Sequence, residues 1–242
     1  MLELKHIRFD VDDAEGHVDI LQDISFSVKE NKFVVITGPN GGGKSTIARI
    51  IAGVKQPTGG QIIFDGHDIT NADITSRAKL GISYALQQPV TFKGIQVIDL
   101  LRIAAGKELS INESCDYLSR VGLCARDYIN REVNASLSGG ELKRIEIATI
   151  LARGTKLSIF DEPEAGIDLW SFQSLIRVFE EMRASIENSS ILVISHQERI
   201  LEIADEIIVV ADGRISEAGP REEILPKLIG TSAAVTGCER LV

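Results

Sequence analysis

Gly38-Pro39-Asn40-Gly41-Gly42-Gly43-Lys44-Ser45-Thr46 lies between two segments of different character. Before it, Phe33-Val34-Val35-Ile36-Thr37 is a short apolar, β-branched run that reads as a buried strand; after it, Ile47-Ala48-Arg49-Ile50-Ile51-Ala52 reads as a helix. Strand, G-x-x-x-x-G-K-S and helix in that order make a phosphate-binding loop in the context that gives the motif its meaning. Glycines let successive backbone N–H groups turn inward toward an anion that a side chain would keep away. Lys44 brings a point charge for β- and γ-phosphates, and the positive end of the following helix adds a partial charge. The Ser45 hydroxyl completes a Mg²⁺ shell. Gly38, Pro39, Asn40, Gly41, Gly42, Gly43, Lys44, Ser45 and Thr46 are therefore the expected nucleotide-binding residues.

The chain of 242 residues is long enough for one large domain, or for a domain with a subdomain set into it. Its 44% hydrophobic and 25% charged residues are ordinary globular values. No apolar run reaches the roughly 18 residues of a membrane span, and no secretory leader opens the chain, so a soluble, cytoplasmic protein without membrane insertion is expected. A net charge of −9 argues against nonspecific nucleic-acid binding. Cys115, Cys124 and Cys238 lie far apart with no CxxC pair, which points to neither a disulfide framework nor a zinc site. The alternative for one of them is contact with a metal or cluster held by a partner.

Outward toward the N-terminus, Leu2-Glu3-Leu4-Lys5 and Ile20 to Val28 alternate apolar and polar residues around the polar turn Asp12 to Gly16, a pattern for an antiparallel hairpin. Phe9 and His17 are the hairpin's only candidates for stacking on a base, and Phe9 reads first as a packed strand residue. Toward the C-terminus, Gly59 to Gly66 is a strand with an Asp-Gly turn, and Ile82 to Leu86 is a short strand ending at Gln87-Gln88-Pro89. A glutamine there can reach an ion or an attacking water with its carbonyl, although alone it is only a polar strand end.

From Val97 to Ala152 the period becomes helical, in three segments around Val97–Ala104, Cys115–Val121 and Leu142–Leu151. The third opens with Leu137-Ser138-Gly139-Gly140-Glu141, where Ser138 and Glu141 have capping-box spacing. Capping needs no glycines, whereas Gly139 and Gly140 leave the helix terminus bare for a second approach of phosphate. Leu157 to Pro163 is a strand ending in Asp161-Glu162; an acid at that place in a P-loop protein can hold Mg²⁺ through water, and its neighbour can polarise the attacking water. Asp168 reads as the N-cap of a helix from Leu169 to Ile186. Ile191 to His196 is a buried strand with a histidine at its end, placed for a γ-phosphate. A hairpin across Asp212-Gly213 and a short helix, Glu222 to Leu228, close the chain.

Together these pieces resemble the ATP-binding cassette (ABC) family over nearly the whole chain. The matching motifs are the P-loop Gly38–Thr46, the Q-loop glutamine Gln87, the LSGGE signature Leu137–Glu141, Asp161-Glu162 as Walker B, Glu164–Asp168 as D-loop and the switch histidine His196. The resemblance implies an α/β P-loop NTPase (RecA-like) core with an N-terminal antiparallel β subdomain and an inserted helical subdomain. Residues 1–87 and 155–230 would form the core, 88–154 the helical part and 231–242 a tail. It implies Mg-ATP hydrolysis, with Glu162, His196 and Gln87 catalytic and Ser45, Gln87 and Asp161 on the metal. Ser138, Gly139, Gly140 and Asp168 would meet nucleotide across an ATP-dependent head-to-tail homodimer. Two charge-assisted hydrogen bonds to a γ-phosphate are worth about 3–6 kcal/mol, and reversing a 1:99 population needs about 5.5 kcal/mol, so the terminal phosphate is large enough to switch closure.

Within the family, Met1–Leu4, Ala85–Val90, and Asn130–Asn134 with Glu141–Arg144 look most like the SufC subfamily, the ATPase subunits of the Suf iron–sulfur cluster assembly system. That likeness implies a SufB/SufD-like scaffold as partner. Leu86 and Asp161-Glu162-Pro163 lean toward the general transporter form, whose partner is a membrane subunit. A DNA-bound ATPase of the SMC type is disfavoured, since the chain has neither long heptads nor a basic face.

Overall fold

The structure, a computed structural model, describes residues 1–13, 16–184 and 187–236. Its elements run β1 (Leu2–Asp13), β2 (Gly16–Val28), β3 (Phe33–Thr37), α1 (Lys44–Ala52), β4 (Gly59–Phe64), β5 (His67–Asp68), α2 (Ile74–Leu80) and β6 (Ile82–Ala85). Four helices follow, α3 (Val97–Ala105), α4 (Ile111–Arg120), α5 (Ala125–Tyr128) and α6 (Gly139–Arg153). The chain closes with β7 (Leu157–Asp161), α7 (Leu169–Ala184), β8 (Ser190–Ile194), α8 (Glu198–Glu202), β9 (Glu206–Ala211), β10 (Arg214–Pro220) and α9 (Arg221–Thr236).

Two sheets form. The hairpin β1–β2 is extended by β4 and β5 into an antiparallel sheet of order β2-β1-β4-β5. The second has the order β10-β9-β3-β8-β7-β6, with β9, β3, β8, β7 and β6 parallel and β10 antiparallel at one edge. The architecture is that of a P-loop NTPase core.

Residue parity shows how the parallel sheet is covered. Val34 and Ile36, Leu157 and Ile159, Leu192 and Ile194, and Ile208 and Val210 all face one core, shared with α1 and the antiparallel sheet. The intervening Phe33 and Val35, Phe160, Ile191 and Val193, and Ile207 and Val209 face a second core with α3, α4, α6 and α7. Both faces being buried, these strands are apolar throughout instead of alternating, as a sheet covered on both sides requires. In the second core Phe179 meets Phe33 and Phe160 edge-on, with centroids 5.8 and 5.1 Å apart.

Several expectations are corrected. The helix expected to end at Leu228 continues to Thr236. Ile224, Leu225 and Leu228 pack on the second core and hold it despite Pro226, which cannot supply an N–H to the helix ladder. The strand read to His196 stops at Ile194, and the polar turn expected at Asp12–Gly16 is shorter, because the strands run on to Asp13 and from Gly16. Helices α2, α5 and α8 were not expected. The last two residues of the helix read to Ile186 lie outside the described residues, as does Cys238; Cys115 and Cys124 are free thiols.

Candidate functional site at the carboxyl ends of the parallel strands

Parallel strands deliver their carboxyl ends to one edge, where loops can converge. Here β3 runs into Gly38–Gly43, β6 into Leu86-Gln87, β7 into Glu162 and β8 into Ser195-His196. The backbone stitches these ends together beyond the strands. Glu162 N–H donates to Ile194 O at 3.0 Å, and Ser195 N–H to Ile36 O at 3.1 Å.

The glycine loop is built against its surroundings. Gly38 has φ +128, and a Cβ there would lie 2.1 Å from the carbonyl oxygen of Val210, so no side chain fits. Gly43, at φ +99, would meet Leu21 Cδ2 at 2.5 Å. Lys44 opens α1 and is buried; its Nζ donates to the carbonyls of Gly38 and Pro39, each at 2.8 Å. Burial lowers its pKa, while Glu162 and Asp161 pull it back upward.

Asp161 is wholly buried and accepts two hydroxyls, Ser45 Oγ on Oδ1 at 2.8 Å and Tyr84 Oη on Oδ2 at 2.9 Å. Gln87 Nε2 donates to Glu162 Oε2 at 2.7 Å. Glu162 holds φ +47, a conformation sparsely populated by residues other than glycine and typical of reacting positions. Asn40, Gly41, Gly43, Lys44, Ser45, Thr46, Gln87 and Glu162 line one cavity of about 390 Å³, with Ile20 of β2 at its rim.

Thus the structure brings the loop, Gln87, Asp161 and Glu162 together. His196 does not line that cavity; it is largely exposed, with Nδ1 4.0 Å from Glu164 Oε1. Ser138, Gly139, Gly140 and Asp168 also lie off it. Ser138 caps α6 in a capping box with Glu141, accepting its N–H at 3.3 Å and donating its own N–H at 2.6 Å. Asp168 caps α7, accepting the Ser171 N–H at 3.0 Å. Neither base-stacking candidate faces the cavity. Phe9 is buried beneath Lys55, whose Nζ sits 4.6 Å from the ring centroid, and His17 is held at 3.0 Å by Asp12.

Sequence reading missed three supporting groups. Tyr84 is one; a tyrosine in a strand beside a buried core must find a hydroxyl partner, and that rule was the available signal. Lys143, buried in α6, donates from Nζ to Leu86 O at 2.6 Å and Gln87 O at 3.1 Å, clamping the loop that carries the glutamine. Glu146 accepts the Leu86 N–H at 2.9 Å, and burial pushes its carboxyl up to about 7. A cation and a carboxylate three apart on a buried helix face are the pattern that marks them.

Beside this assembly lies an apolar groove of about 260 Å³ between β6 and the helices, walled by Val90, Phe92, Leu100, Val133, Ile145 and Glu146. Val90 and Phe92 are exposed. The Glu146 Oε2 and Ser83 Oγ atoms at this groove have no hydrogen-bond partner.

A family model described as "ABC transporter" matches residues 21–165. The uncharacterized ABC transporter ATP-binding protein MJ0035 of Methanocaldococcus jannaschii is 39% identical over 217 residues, which are 86% of this chain and 86% of that one. The probable ATP-dependent transporter ycf16 of Cyanophora paradoxa is 32% identical over 92% of this chain and 89% of its own. Among solved structures, a dimeric post-hydrolysis state of the cassette MJ0796 with ADP and Pi has a TM-score of 0.81 at 23% identity, over 91% of this chain and 99% of that one, a likeness of fold. A bacterial Atm1-family ABC exporter with ATP bound has a TM-score of 0.81 at 26% identity, over 98% of this chain and 42% of the exporter.

Proposed function

Since the chain belongs to the ATP-binding cassette family and is an ATP hydrolase, we propose that it is the nucleotide-binding subunit that powers a separate partner protein. The carrying observation is the meeting of Lys44, Ser45, Gln87, Asp161 and Glu162 at the carboxyl ends of three parallel strands. We read residues 1–87 and 155–230 as the catalytic part, 88–154 as the helical part and 231–242 as a tail.

The backbone N–H groups of Gly38 and Asn40–Thr46 and the Lys44 ammonium hold the phosphates, whose arrival replaces the Gly38 and Pro39 carbonyls as partners of Nζ. Ser45 Oγ, an Asp161 oxygen and the Gln87 amide oxygen are hard oxygen donors, the set that magnesium takes. Held by these residues, magnesium would supply positive charge to offset the charge that develops between the β- and γ-phosphates. Glu162 takes a proton from water as the water oxygen attacks the γ-phosphorus; the bridging P–O bond breaks and ADP leaves. His196, on its exposed loop, contacts the γ-phosphate after closure, and Ser138, Gly139, Gly140 and Asp168 come from a second copy paired head to tail.

The names of the relatives support a transporter's membrane subunit as the partner. A SufB/SufD-like iron–sulfur scaffold is the second reading, supported by the sequences Ala85–Val90 and Asn130–Asn134. Either would seat in the groove beside the Gln87 loop. No helix among the described residues is long and apolar enough to cross a membrane.

Lys44→Ala should abolish ATP binding in equilibrium titration. Glu162→Gln should bind ATP normally, hydrolyse it at least about a hundredfold more slowly, and accumulate as a dimer in size-exclusion chromatography. Undiminished hydrolysis by Glu162→Gln would remove Glu162 as the base. Capture of the tagged chain from separated membrane and soluble fractions of its own cells decides between the two partners.

A further inference from the structure

Asp161 is gripped from both sides, and the two grips are not equivalent. Ser45 Oγ, on Oδ1, comes from the P-loop helix and is itself an expected ligand of the metal. Its bond to Asp161 would loosen if Ser45 Oγ turned to a cation. Tyr84 Oη, on Oδ2, comes from the neighbouring strand β6, whose backbone pairs with β7 at Tyr84↔Ile159, two residues before Asp161. Neither Tyr84 nor Asp161 lines the nucleotide cavity, and Tyr84, unlike Ser45, is not itself an expected ligand of the metal.

We propose that Tyr84 is a positioning residue for the metal: its hydroxyl fixes Asp161 through Oδ2 and so presents Oδ1, next to Ser45, to the divalent cation. This inference rests on the reading of Asp161 as the magnesium carboxylate given above. A carboxylate with a free rotor would sample orientations in which neither oxygen faces the cation. Anchoring one oxygen on a sheet-borne phenol removes that freedom before the cation binds. Partners that orient ligating carboxylates act on metal affinity in this way.

Tyr84→Phe deletes the hydroxyl and keeps the ring and its packing. Mn²⁺ serves as the probe, its free signal read by electron paramagnetic resonance in titrations of the full chain saturated with ADP. The expected result is a loss of Mn²⁺ affinity of about tenfold. ADP affinity in EDTA should stay within about twofold, and thermal melting of the metal-free protein should be near the parent's. Ser83→Ala, one residue away on β6 with a hydroxyl that has no partner, should leave Mn²⁺ affinity unchanged. Mn²⁺ affinity in Tyr84→Phe within a factor of two of the parent overturns the proposal, whatever its melting temperature. An equal loss in metal-free ADP affinity, or the same Mn²⁺ loss in Ser83→Ala, also overturns it, since the hydroxyl would then not be acting on the metal. Absence of Mn²⁺ binding in the parent itself would remove the metal assignment of Asp161, and this inference with it.

Discussion

Gly139 and Gly140 have ordinary negative-side φ values, and a Cβ on either would meet nothing within 4 Å. Nothing among the described residues requires them to be glycine. In the free molecule Gly140→Ala should stabilise the fold by about 0.5 kcal/mol, because alanine has less unfolded-state entropy to lose. In a Glu162→Gln background the same change should weaken ATP-driven pairing severalfold, read by size-exclusion chromatography. Equal pairing would mean that no phosphate comes near. Glu146 gives a second test, in pH. Its carboxyl sits at about 7 against an ordinary 4.5, so the stability of its protonated form is complete below about pH 4.5 and is lost as pH rises through about 7. Glu146→Gln should therefore gain on the parent by about 1–3 kcal/mol between pH 5 and pH 8, followed by urea unfolding. A difference that does not change with pH would show that Glu146 stays charged throughout.

Helix α1 carries the phosphate site on its first residue and is only nine residues long. Its last turn is held by a residue from α2. Arg77 is fully buried and donates to the carbonyls of Ile50, Ile51, Thr70 and Ala72, two of them at the end of α1. A cation there complements the negative end of the helix dipole and adds a donor to the last carbonyls, of which Ile50 O also accepts the Gly53 N–H at 3.1 Å. Arg77→Ala should cost about 3 kcal/mol in urea unfolding, since it leaves buried acceptors bare. A loss below about 1 kcal/mol would show that water takes over the clamp. Two Asp-Gly turns, with both residues at positive φ, were readable in advance because their signal is local. Arg77 was not, because its partners lie up to 27 residues away.

Across the whole molecule, what could be read depended on how far apart in sequence the partners lie. Strand, loop and α1 are contiguous, so Lys44 and Ser45 were legible from spacing. Asp161-Glu162 was legible from its place at a strand end. Tyr84, Lys143 and Glu146 were missed because each acts on a residue more than 55 positions away. The full length of α9 was hidden by Gly230, a residue that argues locally for an end, while packing of Ile224, Leu225 and Leu228 on the second core holds the helix through Pro226. Ser138, Gly139 and Gly140 stand apart from the cavity, and one chain offers them no ligand.

The hairpin sheet reaches the nucleotide cavity through Ile20, while Phe9 is tucked under Lys55 and His17 is tied to Asp12. An aliphatic side chain offers a purine an apolar contact but no ring to stack on. Stacking on Phe9 or His17 would then contribute nothing to base choice, and competition between ATP and GTP for the cavity should show little preference.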